Sequence, residues 1–159
     1  MFYQKYRPKK FAELFGLEDV SQSLQKALQK GQVAHAYIFT GPKGSGKTTT
    51  ARILAKAINC ERLGYSSTPG VEGLDSRSLP SQAEPCNECS ACLGVNEGRF
   101  MDLLEIDAAS NRGIDDIRQL RDRIKLSPSQ GHFKVYIIDE AHMLTHEAFN
   151  ALLKTLEEP

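Results

Sequence analysis

Gly41-Pro42-Lys43-Gly44-Ser45-Gly46-Lys47-Thr48 decides how this chain is read, because it fills every position of the phosphate-binding pattern G-x-x-x-x-G-K-[ST]. A triphosphate presents several charged oxygens, and a glycine-rich turn lets successive backbone N–H groups converge on them with no side chain in the way. All eight residues are therefore expected at a bound nucleotide. Lys47 would reach the terminal phosphates, and Thr48 would hold Mg²⁺. The flanks fit. Ala36-Tyr37-Ile38-Phe39-Thr40 is short, apolar and partly aromatic, as a buried strand should be, and Thr48 to Cys60 carries Ile53, Leu54, Ala57 and Ile58 at helical spacing with no internal Gly or Pro. A loop built only to turn the chain would rarely combine both glycines, the lysine and the threonine in this setting.

Outward from that loop, size and charge bound the rest. The chain has 159 residues, enough for one domain with a real core and a small appendage. Twenty basic residues balance twenty acidic ones, which excludes a globally basic nucleic-acid coat and makes any DNA contact local. No stretch approaches the roughly 20 apolar residues of a membrane span, and the opening residues lack the apolar core of a signal peptide. No membrane partner and a cytoplasmic location are expected.

Four cysteines fall at positions 60, 86, 89 and 92, the last three as Cys86-x2-Cys89-x2-Cys92. In a reducing cytosol such clustering favours metal over disulfides, and four thiolates complete a tetrahedral Zn²⁺ site of the structural kind. The plainer alternative is a set of unrelated small buried residues. Cys60 is the outlying member, separated from Cys86 by residues 61–85, with five Ser, three Gly and three Pro among 25 residues. That stretch reads as a flexible loop within an inserted module spanning 60–98.

Helical spacing recurs elsewhere. Glu18 to Lys30 sets Val20, Leu24, Ala27 and Leu28 on one face, with Gly31 placed as a C-terminal cap. Ile114, Ile117, Leu120 and Ile124 predict a helix beginning near Asp115 and Asp116, and a final helix runs from about His146 to Glu157. Phe100 to Ile106 and Phe133 to Ile138 read as strands, while Pro8 and the basic residues around it suggest an extended arm. Strands alternating with helices imply an α/β fold, a parallel sheet flanked by helices. The face carrying Arg118, Arg121 and Lys125 is, on its own, a solvated helix surface.

A second cluster follows the strand ending at Ile138. Asp139 and Glu140 should emerge at the carboxyl end of a buried parallel strand, where ligands gather in open α/β sheets. Asp139 would contact Mg²⁺ together with Thr48, and Glu140 would polarise the water that attacks the γ-phosphate. Lys47, Thr48, Asp139 and Glu140 thus form the expected catalytic set. Such a pair could also be merely a polar strand end. His142 completes Asp-Glu-Ala-His, the box of one helicase class, but the Ser/Thr-Ala-Thr motif of those enzymes does not follow.

Taken together, these residues reach a recognisable pattern. The opening Tyr6-Arg7-Pro8-Lys9-Lys10-Phe11, the His35-Ala36-Tyr37 before the phosphate loop, the four cysteines, Glu105 through Ile114, and the closing Phe149 through Pro159 resemble the gamma/tau family of bacterial DNA polymerase III clamp-loader subunits. The resemblance covers nearly the whole chain and is far more specific than the phosphate loop alone. It implies an AAA+ P-loop NTPase fold over residues 1–159 with an inserted four-cysteine zinc module, and so supports Cys60 as the fourth ligand. It implies a subunit that binds and hydrolyses ATP within the DNA polymerase III holoenzyme, coupling it to loading of a sliding clamp on primer–template DNA, beside other clamp-loader subunits. ATP, Mg²⁺ and Zn²⁺ are the implied cofactors. By the same resemblance, Arg7 and Pro8 lie near the adenine, and Asp107 through Arg112 lie where the ATP site communicates with DNA, which brings Arg112, Arg118 and Arg121 forward as DNA contacts.

The loop between Cys60 and Cys86 departs from the family by its length. The family pattern also continues past Pro159, with sensor residues, a lid and an arginine that serves the neighbouring subunit. The chain is accordingly expected to be a fragment with low hydrolysis, since such an arginine is worth about 10³-fold or more. The alternatives are a non-catalytic nucleotide-binding or assembly module, and a fragment of the Asp-Glu-Ala-His helicase type.

Overall fold

A computed structural model describes residues 6–64, 83–110 and 114–157 of the chain. Helices α1 (Glu18–Gln29), α2 (Lys47–Ile58) and α3 (Ser90–Glu97) precede strand β1 (Leu103–Asp107), helix α4 (Ile114–Ile124), strand β2 (Val135–Asp139) and helix α5 (His146–Glu157). Single 3-10 turns stand at Phe11–Glu13 and Ala141–Met143.

The two strands run parallel in the register Leu103↔Val135 through Asp107↔Asp139, with α4 as the crossover between them. Side chains alternate along β2, and this decides which helices cover which face. Tyr136 and Ile138 join Ile106, Ile117, Leu120 and Ala148 under α4 and α5. Val135 turns the other way, onto a larger core of Phe11, Leu14, Leu24, Leu28, Ile53, Leu54 and Ile58 from the N-terminal segment, α1 and α2. The result is an α/β arrangement in which helices flank a parallel sheet, as expected, and β1 and β2 both end on the same side with a carboxylate.

The predicted strand at Ala36 to Thr40 does not form. Among the described residues the sheet has only β1 and β2, and the segment forms neither strand nor helix. Ile38 is 89% exposed, while Phe39 packs on the core and Tyr37 stacks on it at 6.4 Å. β propensity describes a residue suited to a sheet, but a ladder also needs a paired backbone, and among the described residues only β1 and β2 pair.

Both remaining strands start later than their apolar runs suggest. Phe100 packs instead on Ala91 and Val95 of α3, while Asp102 turns to cap the loop before β2. The amides of His132 and Phe133 donate to Asn59 Oδ1 at 2.9 and 2.8 Å, so Phe133 precedes the ladder. Of the expected flexible loop at 61–85, residues 65–82 lie outside the described residues, as does Arg112.

Candidate nucleotide site and cysteine cluster

Gly41, Gly44 and Gly46 all adopt positive φ, at 149°, 84° and 86°. Each value is one that a side chain disfavours, so the glycines of the pattern are needed where they stand. Gly46 is the left-handed residue from which α2 begins, and Thr50 bonds back to its carbonyl through both its amide, at 2.8 Å, and its hydroxyl, at 3.0 Å. A Cβ at Gly46 would meet Leu17 Cδ1 at 3.3 Å, so the N-terminal segment packs directly against the loop. The turn thus delivers Lys47 and Thr48 as the first two residues of a helix N-terminus, where unpaired amides and the helix dipole favour an anion.

Lys47 Nζ donates to the carbonyls of Gly41 and Pro42, each at 2.9 Å. Two of the three donors of an ammonium are thereby engaged across the loop mouth. Thr48 Oγ1 donates to Asp139 Oδ2 at 2.9 Å, joining the start of α2 to the end of β2. The structure therefore brings together a hydroxyl and a carboxylate that are both hard oxygen donors of the kind Mg²⁺ takes.

Glu140 follows at φ 51°, one of two non-glycine residues with positive φ among those described. Its amide donates to Asp139 Oδ1 at 3.1 Å, and its carboxylate stands 3.5 Å from His142 Nδ1, both side chains being exposed. The left-handed turn sends the chain away from the sheet directly after Asp139. Asp107, in register with Asp139, is spent otherwise: its carboxylate accepts from the amide of Ala109 and the hydroxyl of Ser110, turning the chain off β1.

Arg7 and Pro8 are half-buried just before the 3-10 turn at Phe11. Arg118 pairs with Asp115 along α4 at 3.2 Å and is exposed, while Arg121 is half-buried.

The four cysteines converge. Their sulfur atoms all lie within 4.8 Å of one another, with Cys60 and Cys92 buried and Cys86 and Cys89 half-buried. A tetrahedral Zn²⁺ with Zn–S near 2.3 Å needs S···S edges of about 3.8 Å, and Cys86 and Cys92 stand 3.9 Å apart. Amides of Glu88 and Cys89 donate to Cys86 Sγ at 3.4 and 3.3 Å, and that of Cys86 donates to Cys60 Sγ at 3.5 Å. Such bonds favour thiolates, the metal-binding form. A hydrogen bond from Cys92 is the foremost cause lowering the pKa of the Cys60 thiol, and the same contact raises that of Cys92. The residues present fit a Zn²⁺ ion: Cys60, Cys86, Cys89 and Cys92 would hold it, and it would supply a structural cross-link between the end of α2 and the start of α3.

Sequence reasoning passed over the polar groups that assemble these sites. Lys56 is 2% exposed yet its ammonium donates to Lys9 O, Asn87 Oδ1 and Asn96 Oδ1 at 2.7, 2.7 and 2.9 Å. Burial brings its pKa down to about 8. It stands in the run Leu54-Ala55-Lys56-Ala57-Ile58, where a charge on an otherwise apolar stretch was the available signal. Helix α3 was also missed, although Gly98, at φ 71°, marks its end in the sequence.

Comparison with known proteins adds a family to this geometry. A family model described as DNA polymerase III, delta subunit matches residues 16–159. The chain is 49% identical over 157 residues to DNA polymerase III subunit tau of Bacillus subtilis, covering 99% of this chain and 25% of that protein. It is 46% identical over 156 residues to subunit tau of Escherichia coli, covering 98% of this chain and 22% of that one. Subunit gamma of Buchnera aphidicola is 42% identical over 156 residues, with 98% and 38% covered. The chain thus spans well under half the length of these curated relatives.

Proposed function

We propose, from the premise that this chain belongs to the family described as DNA polymerase III, delta subunit, and is a relative of the tau and gamma subunits, that it is the nucleotide-binding portion of a clamp-loader ATPase. The bond between Thr48 Oγ1 and Asp139 Oδ2 carries the reading, because it places the Mg²⁺-binding hydroxyl of a phosphate loop against the carboxylate of a strand end. A turn made for shape alone has no use for that pairing.

In this reading residues 1–159 form an AAA+ P-loop unit, with residues 60–98 as its zinc module. Gly41 through Gly46 offer backbone amides to the phosphates, and Lys47 exchanges its contacts with Gly41 and Pro42 for the terminal phosphate oxygens. Arg7 and Pro8 flank the base. Thr48 and Asp139 would hold Mg²⁺, which would supply neutralisation of the charge on the phosphates. Glu140 orients the attacking water and takes its proton, as phosphoryl transfer needs positioning more than covalent help.

Relatives named as DNA polymerase III subunits support a role for the chain in DNA replication. Its partners in this reading are the other subunits of the loader, the sliding clamp and primer–template DNA, with ATP coupled to clamp loading. No helix among the described residues is long and apolar enough to cross a membrane.

Calorimetric titration with Mg-ATP tests the reading. Lys47→Ala should abolish binding at concentrations that saturate the unaltered protein. Equal affinity in both would remove the phosphate-loop assignment.

A further inference from the structure

The segment that delivers Cys86 also grips the N-terminal arm. Glu84 accepts from the amides of Phe11 and Ala12 at 2.8 and 3.0 Å and from Gln25 Nε2 at 2.7 Å. Asn87, between Cys86 and Cys89, donates to Lys9 O at 3.2 Å and accepts from Lys56 Nζ at 2.7 Å. Lys56, on the helix that starts at the phosphate loop, contacts Lys9 O as well. Pro85, between the two anchors, is buried, and Phe11 and Leu14 share one core with Ile53, Cys60 and Cys92. The arm then reaches the loop itself through Leu17, the residue that meets Gly46.

We propose that the cysteine cluster, through Glu84 and Asn87, positions residues 9–17 against the phosphate loop, so that metal binding at the cysteines and docking of this arm are coupled. The inference rests on the metal reading of the four cysteines. Asn87 holds φ 58°, a conformation set by the tight turn between two would-be ligands, and its side chain can meet Lys9 and Lys56 only while that turn persists. Glu84 lies two residues before a ligand, so its carboxylate is aimed at Phe11 and Ala12 by the same attachment. Metal that fixes the turn therefore fixes the arm, and coupling of this kind is reciprocal: a docked arm must tighten metal binding by the same factor. Residues that orient ligands in this way commonly change metal affinity 10–100-fold.

Two measurements on the purified protein test this. Zinc affinity is read by competition with a chromophoric chelator, and hydrogen–deuterium exchange is followed at Phe11 and Ala12. Glu84→Ala should weaken zinc binding about tenfold, near the lower end of that range, while stripping zinc from the unaltered protein should speed exchange at Phe11 and Ala12 about tenfold or more and leave α5 protected. If stripping unfolds the whole protein, Asn87→Gly decides, since glycine tolerates the turn and loses the side-chain bonds: the arm amides should exchange faster and zinc affinity should fall by a matching factor. Unaltered zinc affinity in Glu84→Ala, or arm amides equally protected with and without zinc, overturns the proposal while leaving the metal site intact. An unaltered protein that binds no zinc overturns both.

Discussion

Thr48 and Asp139 are ninety-one positions apart in the chain and 2.9 Å apart in the fold, hydroxyl to carboxylate. The bond closes the distance between the first turn of α2 and the last residue of β2, and every residue of the proposed catalytic set lies within one position of it. Asp139→Asn keeps the size of the side chain and an oxygen that can still accept from Thr48, but removes the charge that would meet Mg²⁺. Steady-state phosphate release by the assembled loader should fall roughly 100-fold or more, since a misplaced metal forfeits several kcal/mol of charge stabilisation. Release within twofold of the unaltered loader would remove Asp139 from the metal site.

Glu140 occupies the left-handed region at φ 51°. For a residue with a Cβ this costs about 1–2 kcal/mol, part of which glycine returns as added freedom of the unfolded chain. Glu140→Gly should therefore raise stability by about 0.5–1 kcal/mol, or about 2–3 °C in Tm by thermal melting. Hydrolysis should be lost in the same variant, while Mg-ATP affinity is kept. A strained residue that is dispensable for hydrolysis, or one whose replacement by glycine lowers Tm, would contradict this account of the turn.

Gly131 lies where the loop before β2 crosses Asn59 and Phe100. A Cβ there would stand 2.4 Å from Asn59 Oδ1 and 2.6 Å from Phe100 Cζ. Asn59 cannot give way cheaply, because the same oxygen holds the amides of His132 and Phe133. Gly131→Ala should cost about 1–3 kcal/mol, the usual range for overpacking, as read from the urea midpoint. An unchanged midpoint would mean that the loop is free to move.

How far the sequence discloses this molecule depends on whether a residue's partners are near it in the chain. The phosphate loop is legible because its glycines, lysine and threonine are contiguous and their spacing is itself the mechanism. Helices α1, α4 and α5 are legible because amphipathic spacing shows from within each segment. The cysteines converge as their clustering suggests, since Cys86, Cys89 and Cys92 are local to one another. Ala36 to Thr40 misleads for the opposite reason: its composition suits a strand, but strand formation depends on a neighbour that composition does not name. Lys56 stands out as a charge in an apolar run, yet its target, like those of Glu84 and Asp102, is a backbone group between 27 and 73 positions away. Nothing in the residues beside them marks those targets.

Asp102 gives the fold a dependence on acid pH. It is 2% exposed, and its carboxylate accepts from the amides of Ser129, Gln130 and Gly131 at 2.6–3.0 Å and from the Ser129 hydroxyl at 3.2 Å. Burial alone would raise its pKa, but the amides of Ser129, Gly131 and Gln130 outweigh it and hold the carboxyl below its ordinary 3.8. A carboxyl depressed by folding contributes stability that is fully present above its unfolded pKa and is lost as pH falls through the folded value. From this group, the urea midpoint should be level between pH 7 and pH 5 and decline below about pH 4. Asp102→Ala strips three backbone donors of their acceptor and should cost about 3 kcal/mol or more at pH 7. Its deficit against the unaltered protein should shrink as pH drops toward 2, because protonation removes the charge-assisted bonds from the unaltered protein as well. A deficit that stays constant across that range would show that the carboxylate's charge adds nothing, leaving shape alone to account for the loop's attachment to β1.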